Sequence, residues 1–262
     1  MIIARFSTLD GPRYGLVHDD QVVELRRSPF DGVPIDPALD AWGPSRPLSA
    51  VQLLAPCVPS KVVLASTNYG EVLRLFDKPA PDEPILFIKP STAVIGTGEA
   101  IRVPPDTQKV THEPELAVVI GRPCSDVPPA EAHRYILGYT CANDLSARDI
   151  QDREVHMTRP KGYDTFCPLG PWIVTDLDPA CLRIRSRVNG EPCLETTTDD
   201  MIFGVAELVS FASRCMTLLP GDLISTGASG VGPARPGDVV EIEVEGIGSL
   251  ANPVVERGPW RT

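Results

Sequence analysis

Tight turns that lead directly into apolar runs constrain the fold of this chain more than any other feature. Proline and glycine are frequent, with 28 and 21 residues among 262, and two Pro-Gly-Asp motifs begin at Pro220 and Pro236. Proline fixes φ and glycine accepts positive φ, so each motif suits the two central positions of a type II turn. The strand-like runs LIST and VVEIEVEG follow the two turns. The pattern therefore predicts a β-rich protein.

Other apolar runs predict strands that are not regularly interleaved with helices. They occupy residues 61–66, 85–89, 115–121, 182–188 and 239–245. The continuous apolar run at 115–121 is typical of a strand buried on both faces. Asn189-Gly190, which follows the run at 182–188, is a strong hairpin signal. We therefore expect a mixed α+β, mainly β fold of the β-roll type rather than a doubly wound sheet.

Two helices are predicted among these strands. Apolar residues at three- and four-residue spacing predict a helix over 205–219. A second helix is expected to begin near Pro128 and Pro129, with Ser125 as its cap, and to stop at Gly138. The shorter helical segment GEVLRLF is followed by a proline-rich loop, which predicts a mobile lid because loops of this length inside compact domains are often functional.

Composition bounds the domain organisation and the class of protein. Short alternating runs and then a Pro/Gly/Asp-rich stretch near the start predict a small N-terminal β module with a linker (1–55) before the main domain (56–262). The net charge of -11 disfavours nucleic acid and acidic membranes as partners. A long apolar run and the features of a secretion signal are both absent from the sequence, so a cytoplasmic protein is expected.

Three carboxylates in two separate motifs form the candidate chemical centre. Glu113 and Glu115 precede the buried run at 115–121, and residues two apart on a strand project from the same face. Two such carboxylates repel each other unless a proton or a cation lies between them, although a solvated pair at a strand entrance is the simpler alternative. Asp144 follows a second apolar stretch. An all-oxygen set of this kind suits Mg²⁺ or Mn²⁺.

Several longer strings resemble the fumarylacetoacetate hydrolase family and occur in the order that this family has. They are HEPELAVVIGR, GYTCANDLSARDIQ, KGYDTFCPLGPWIVTD, VNGEP, DMIFGVAELVSF, TLLPGDLISTG and EVEGIGSLANPVV, and they cover roughly residues 60 to 256. The chain looks most like bacterial 2-hydroxyhepta-2,4-diene-1,7-dioate isomerase or acylpyruvate hydrolase members. The resemblance implies a β-roll catalytic domain, a homodimer, and Mg²⁺ or Mn²⁺ bound by Glu113, Glu115 and Asp144.

The same resemblance assigns roles to residues outside the three acids. It places Arg148 and Gln151 near the substrate, and Lys161 where an oxyanion would develop during catalysis. Ser229, in the loop TGASGVG, is expected to supply a substrate-binding hydroxyl in place of a threonine. Glu83 matches the catalytic glutamate of the family's lid.

One departure from the family pattern bears on the reaction. The family has a lid histidine three residues after its Asn-Tyr pair, and Val72 stands at that position here. Valine cannot accept a proton, so Glu71 or His156 would have to replace the missing base.

Three functions are therefore considered for the chain. The leading prediction is an enzyme that hydrolyses a C–C bond in a small 2-oxo or 1,3-dicarbonyl acid through a metal-stabilised enolate. The alternative is an enol–keto tautomerase, isomerase or decarboxylase, which needs no lid histidine. The third is a non-catalytic homologue that binds metal or ligand.

Overall fold

Nineteen strands and five α-helices lie in residues 1–77 and 79–258, the part of the chain that this computed structural model describes. The strands are β1 (Ile2–Thr8), β2 (Gly11–His18), β3 (Gln21–Leu25), β4 (Ala41–Pro47), β5 (Val62–Ser66), β6 (Ile85–Lys89), β7 (Val94–Ile95), β8 (Ile101–Val103), β9 (Val110–His112), β10 (Pro114–Ile120), β11 (Ile136–Asn143), β12 (Ser146–Ala147), β13 (Cys167–Val174), β14 (Arg183–Val188), β15 (Glu191–Thr197), β16 (Leu223–Ser225), β17 (Gly232–Pro233), β18 (Val239–Val244) and β19 (Gly248–Glu256). The α-helices are α1 (Pro37–Asp40), α2 (Gly70–Phe76), α3 (Arg148–Gln151), α4 (Thr158–Lys161) and α5 (Val205–Cys215). Short 3₁₀ helices cover Leu48–Ala50, Ser91–Ala93, Pro129–Tyr135 and Thr198–Asp200. The mainly β, mixed α+β class is confirmed.

The strands form three sheets. The largest has eleven strands in the order β4-β3-β2-β1-β13-β11-β10-β16-β5-β6, with β7 paired to β13 away from this path. A three-stranded sheet has the order β12-β9-β17, and a five-stranded sheet the order β15-β14-β18-β19-β8. Within the described residues, no helix is long and apolar enough to span a membrane.

Strand β10 is the buried centre of the large sheet. All seven of its residues are buried, as the continuous apolar run predicts. Its alternate side chains enter two different apolar clusters, Leu116 and Val118 on one side and Ala117 and Val119 on the other. The antiparallel neighbours β11 and β16 cover its two edges. Side chains at the start of β10 are therefore held in a rigid, water-poor environment.

The N-terminal strands are continuous with this sheet. Strand β1 pairs with β13 through Ile2↔Val174 and Ile3↔Ile173, and β2, β3 and β4 extend the sheet outward. The first strands thus share the hydrogen-bonding network of the large sheet. The division into 1–55 and 56–262 stays a prediction.

Two predicted helices differ from the structure. The helix expected from Pro128 to Gly138 is a 3₁₀ helix over Pro129–Tyr135, without a side-chain cap. Gly138 lies inside β11, where a Cβ atom would come within 2.4 Å of the Val174 carbonyl oxygen. This glycine allows close strand approach and does not end a helix.

The second difference concerns the end of α5. The helix stops at Cys215 rather than at residue 219, because the chain becomes extended at Met216 and Leu218 then pairs with Cys124. Leu219, the last position of the predicted periodicity, is 42% exposed, whereas Leu218 is buried next to it.

The turns follow the prediction from the sequence. Gly221 and Gly237 have φ of +86° and +97°, and Asn189-Gly190 joins β14 to β15. The first Pro-Gly-Asp turn is fixed by its aspartate. Buried Asp222 accepts hydrogen bonds from the Leu219 amide at 2.8 Å, the Ser60 amide at 2.9 Å, and the Lys61 ammonium. Burial opposes ionisation, but these donors hold the pKa of Asp222 below its usual value.

Replacing Asp222 by asparagine removes this charge and leaves Lys61 without its partner. We expect Asp222→Asn to lower the free energy of unfolding at pH 7 by about 2 kcal/mol, measured by urea denaturation. Because the folded pKa of Asp222 is depressed, its contribution is present at neutral pH and is lost on acidification. The difference from wild type should therefore shrink below about pH 4. Exposed Glu191→Gln is the control, and an equal loss there would contradict the role of the turn.

Candidate metal centre

The three predicted carboxylates meet at the junction of β10 and β11. Glu113 directly precedes β10, Glu115 lies within it, and Asp144 follows β11. Antiparallel pairing of the two strands brings the segments together, and the Asp144 amide donates to the Glu113 carbonyl at 3.0 Å. Each residue offers a carboxylate oxygen within 4.8 Å of the other two. We call these three residues the acidic triad.

Glu115 is the most enclosed member of the triad. Its Oε2 accepts hydrogen bonds from the Ser225 hydroxyl and from the Gly227 amide at 3.0 Å. Burial, and then the charges of Asp144 and Glu113, raise the pKa of the Glu115 carboxyl to about 8. The triad therefore holds more negative charge than this environment supports without a compensating cation or proton.

Lys161, at the end of α4, supplies one compensating charge. Its Nζ lies 2.9 Å from Glu113 Oε1, contacts Asp144 Oδ2, and sits 5.4 Å from the centre of the Phe87 ring. Burial alone would lower the pKa of this ammonium, but the carboxylates of Asp144 and Glu113 raise it. Lys161 is therefore positively charged beside the triad at neutral pH.

Lys89, at the end of β6, supplies a second positive charge that the sequence analysis missed. This lysine is fully buried, and its Nζ forms an ion pair with Asp144 Oδ1. It also donates to the carbonyl oxygens of Leu145, at 2.9 Å, and Phe166. The available signal was a charged residue that closes the apolar run ILFIK.

The oxygen atoms of the triad fit a divalent metal ion. Ser146 donates to Glu113 Oε1 at 2.8 Å and so fixes one side of that carboxylate. Among the residues described, none donates a hydrogen bond to Glu113 Oε2 or to Glu115 Oε1. Carboxylate oxygens close together, without histidine or thiolate, form the donor set that Mg²⁺ and Mn²⁺ prefer.

The other predicted site residues belong to α3 and to the loop after β16. Arg148 and Gln151 belong to α3, which begins directly after β12. The guanidinium of Arg148 pairs with Asp152 at 3.0 Å. The side-chain oxygen of Gln151 is buried without a hydrogen-bond partner, and Ser229 is buried two residues after Gly227. Their roles in substrate binding stay predictions.

The candidate bases on the lid are not gathered at the triad. Glu83 is exposed in the loop before β6, and Glu71 is exposed in α2 beside Val72. His156 is exposed as well. The buried His112 contacts Ser186 and the Pro233 carbonyl, each at 2.9 Å. No histidine in the described part of the chain forms a hydrogen bond or ion pair with the three carboxylates, and the role of Glu83 stays a prediction.

Comparison with known proteins identifies the family. The profile of the fumarylacetoacetate hydrolase C-terminal domain matches residues 61–255, and that of the Rv2993c-like N-terminal region matches residues 1–56. The chain therefore belongs to the fumarylacetoacetate hydrolase family, as the resemblance in its motifs implied.

Three relatives show the range of activities among similar proteins. The crystal structure of a 5-carboxymethyl-2-hydroxymuconate delta-isomerase from Mycobacterium smegmatis is 46% identical, with a TM-score of 0.90 over 98% of this chain and 100% of that one. The mitochondrial oxaloacetate tautomerase FAHD2A of Bos taurus is 41% identical over 83% of this chain and 74% of its own length. A Sphingobium maleylpyruvate hydrolase, crystallised with manganese(II) and pyruvate, is 30% identical, with a TM-score of 0.80 over 98% and 100%. The chain is an enzyme of this family.

The metal centre can be tested through its most buried ligand. We expect Glu115→Gln to weaken Mn²⁺ binding by about 100-fold or more, because it removes one of three anionic donors. The measurement is isothermal titration calorimetry of protein stripped of metal. Glutamine has the shape of a protonated glutamate, so the fold should persist. Exposed Glu83→Gln is the matched control, and equal Mn²⁺ affinity in all three proteins would contradict the assignment.

The raised pKa of Glu115 predicts how metal binding depends on pH. Its value of about 8 lies above the ordinary 4.5, so protonation of Glu115 stabilises the folded chain in the absence of metal. This stabilisation is complete below pH 4.5 and is lost as pH rises through 8. A metal ion must displace this proton at lower pH. We therefore expect Mn²⁺ affinity to increase by up to about tenfold per pH unit from pH 6 to 8 and then to level off. An affinity that stays constant over this range would contradict the prediction.

Proposed function

We propose that this chain interconverts the enol and keto forms of a small 2-oxo dicarboxylic acid, with Mg²⁺ or Mn²⁺ held by Glu113, Glu115 and Asp144. The observation that carries the proposal is the charged Lys161 beside the triad, where no histidine of the described residues forms a hydrogen bond or ion pair with the three carboxylates. We further propose a homodimer, on the basis of the family resemblance.

Lys161 suits a reaction that passes through an enolate. An enolate carries negative charge on oxygen, and an ammonium group fixed in a buried site stabilises such charge more strongly than water does. Contacts with Glu113 and Asp144 hold the Nζ atom in place before a substrate arrives. A divalent cation, when bound, supplies Lewis-acid polarisation of the keto oxygen and the carboxylate of a 2-oxo acid.

The described residues favour tautomerisation over hydrolysis. Tautomerisation moves a proton between oxygen and carbon and adds no water. Hydrolysis also requires a base that activates water, yet Val72 occupies the position of the family's lid histidine, and Glu83 is exposed. The relatives named as an isomerase and a tautomerase are 46% and 41% identical to this chain, while the hydrolase is 30% identical.

Substrate recognition is proposed for residues of α3 and the glycine-rich loop. The unpartnered side-chain oxygen of Gln151 is available to a ligand group. Arg148 is only partly buried, and its exposed partner Asp152 can give way to a second carboxylate on the substrate. Ser229 is proposed to add a hydroxyl from the loop after β16.

Hydrolysis of a C–C bond is the second candidate. It is favoured by the similarity to maleylpyruvate hydrolase, whose structure covers 98% of this chain. Because the two candidates share the metal and Lys161, only the products separate them.

The test follows enol oxaloacetate and acylpyruvates side by side. We expect the metal-loaded enzyme to accelerate the loss of enol absorbance by oxaloacetate without changing its mass. Lys161→Met should slow this by about 10²–10³-fold, as loss of an oxyanion-stabilising donor does, whereas Glu83→Gln should retain activity. Mass spectrometry monitors the products. Pyruvate release from acylpyruvates, with no effect on oxaloacetate, would replace the proposal by hydrolysis.

A further inference from the structure

The two buried lysines at the triad differ in what their ammonium groups can do. Lys89 contacts three acceptors: Asp144 Oδ1 and the carbonyl oxygens of Leu145 and Phe166. Two of the three N–H donors of this ammonium bond to the carbonyl oxygens, while its contact with Asp144 Oδ1 is an ion pair without hydrogen-bond geometry. Lys89 therefore interacts with groups of the protein itself, and chiefly through its charge with Asp144.

The position of Lys89 suits a purely electrostatic role. The residue is fully buried, and Asp144 is only 2% exposed. A buried carboxylate without a partner is strongly destabilising, so the ammonium of Lys89 stabilises Asp144 in the folded chain. A divalent cation held by the same carboxylate lies beside that ammonium and is repelled by it. The two cations thus compete for the charge of one triad.

We propose that Lys89 is an internal counter-cation that stabilises the acidic triad in the absence of metal and thereby lowers the affinity of the site for divalent ions. This inference rests on the metal centre proposed above, but not on the reaction. With all three carboxylates ionised, as metal binding requires, the triad and both lysines carry three negative and two positive charges. Removal of Lys89 leaves two more negative than positive charges for an incoming metal ion.

Two opposing effects decide whether removal of Lys89 strengthens or weakens metal binding. Loss of a hydrogen-bonding partner from a metal ligand usually weakens binding, by 10–100-fold. Repulsion between a divalent ion and an ammonium a few ångströms away in a buried site lowers the affinity for that ion by more than a factor of ten, even at an effective dielectric constant of about 20. Asp144 also keeps its contact with Lys161, which preserves its orientation. We therefore expect the electrostatic effect to dominate.

The experiment compares Lys89→Met with wild type. Methionine has a similar unbranched shape without charge or donors. Metal-free Lys89→Met should melt at a lower temperature than metal-free wild type, and its Mn²⁺ dissociation constant should be at least about tenfold lower. Mn²⁺ should therefore raise the melting temperature of the variant more than that of wild type. Calorimetric titration with Mn²⁺ and thermal unfolding provide these two readouts, neither of which depends on activity.

Lys61→Met is the matched control. Lys61, directly before β5, also pairs with a buried aspartate, Asp222, which lies in the turn before β16. Its replacement should lower the melting temperature and leave Mn²⁺ affinity unchanged within about twofold. This control separates loss of a buried ion pair from loss of the counter-cation. Lys89→Gln, which keeps donors for the two carbonyl groups, serves where Lys89→Met fails to fold and carries the same expectation of tighter binding.

The outcomes distinguish this inference from the metal centre itself. Tighter Mn²⁺ binding by a Lys89 variant than by wild type supports the role of Lys89 as counter-cation. Binding by the variant where wild type shows none supports it equally. Wild type that binds Mn²⁺ while both Lys89 variants bind it equally or more weakly would overturn the counter-cation and leave the metal centre intact. Mn²⁺ binding by none of the three proteins would overturn both.

Discussion

Mutual repulsion among three carboxylates is the constraint on which the rest of the site depends. Glu113, Glu115 and Asp144 approach within 4.8 Å, and two of them, Glu115 and Asp144, are buried. This repulsion is offset by the ammonium groups of Lys161 and Lys89, the Ser225 hydroxyl and the Gly227 amide. These groups come from three separate segments of the chain: α4, β6, and the end of β16 with the loop after it. The fold therefore has to be complete before the triad is stable, so the site and the core form together.

The apolar centre of the large sheet makes this arrangement rigid. Strand β10 is paired on both sides, and its side chains enter two separate apolar clusters. A carboxylate at the start of such a strand cannot move away from its neighbour to relieve repulsion. The position of Glu115 is therefore set by burial of residues that have no chemical role. The proposed reaction needs that rigidity, because stabilisation of an enolate depends on charges that are already in place.

Much of the fold and the candidate triad could be predicted because their signals are local. The apolar run of β10, the Asn189-Gly190 hairpin and the Pro-Gly-Asp turns are each contained within a few residues, and the structure has all of them. Lys89 was missed because its partner lies 55 positions away along the chain, and only strand pairing brings the two together. Gly138 was misread for the same reason. A glycine that permits close approach of β13 has the same local pattern as one that ends a helix.

The position of β6 at the end of the eleven-stranded sheet links opening of this strand to the position of the Lys89 ammonium group. Within the part of the chain that the structure describes, this strand is paired on one side only, to β5, and it follows the α2 helix. Edge strands open at a lower free energy than central ones. Because Lys89 is the last residue of β6, opening of this edge withdraws an ammonium group from Asp144. Opening of the sheet edge thus changes the electrostatic potential at the centre of the sheet. The affinity of the site for a cation therefore varies with whether a single outer strand is paired.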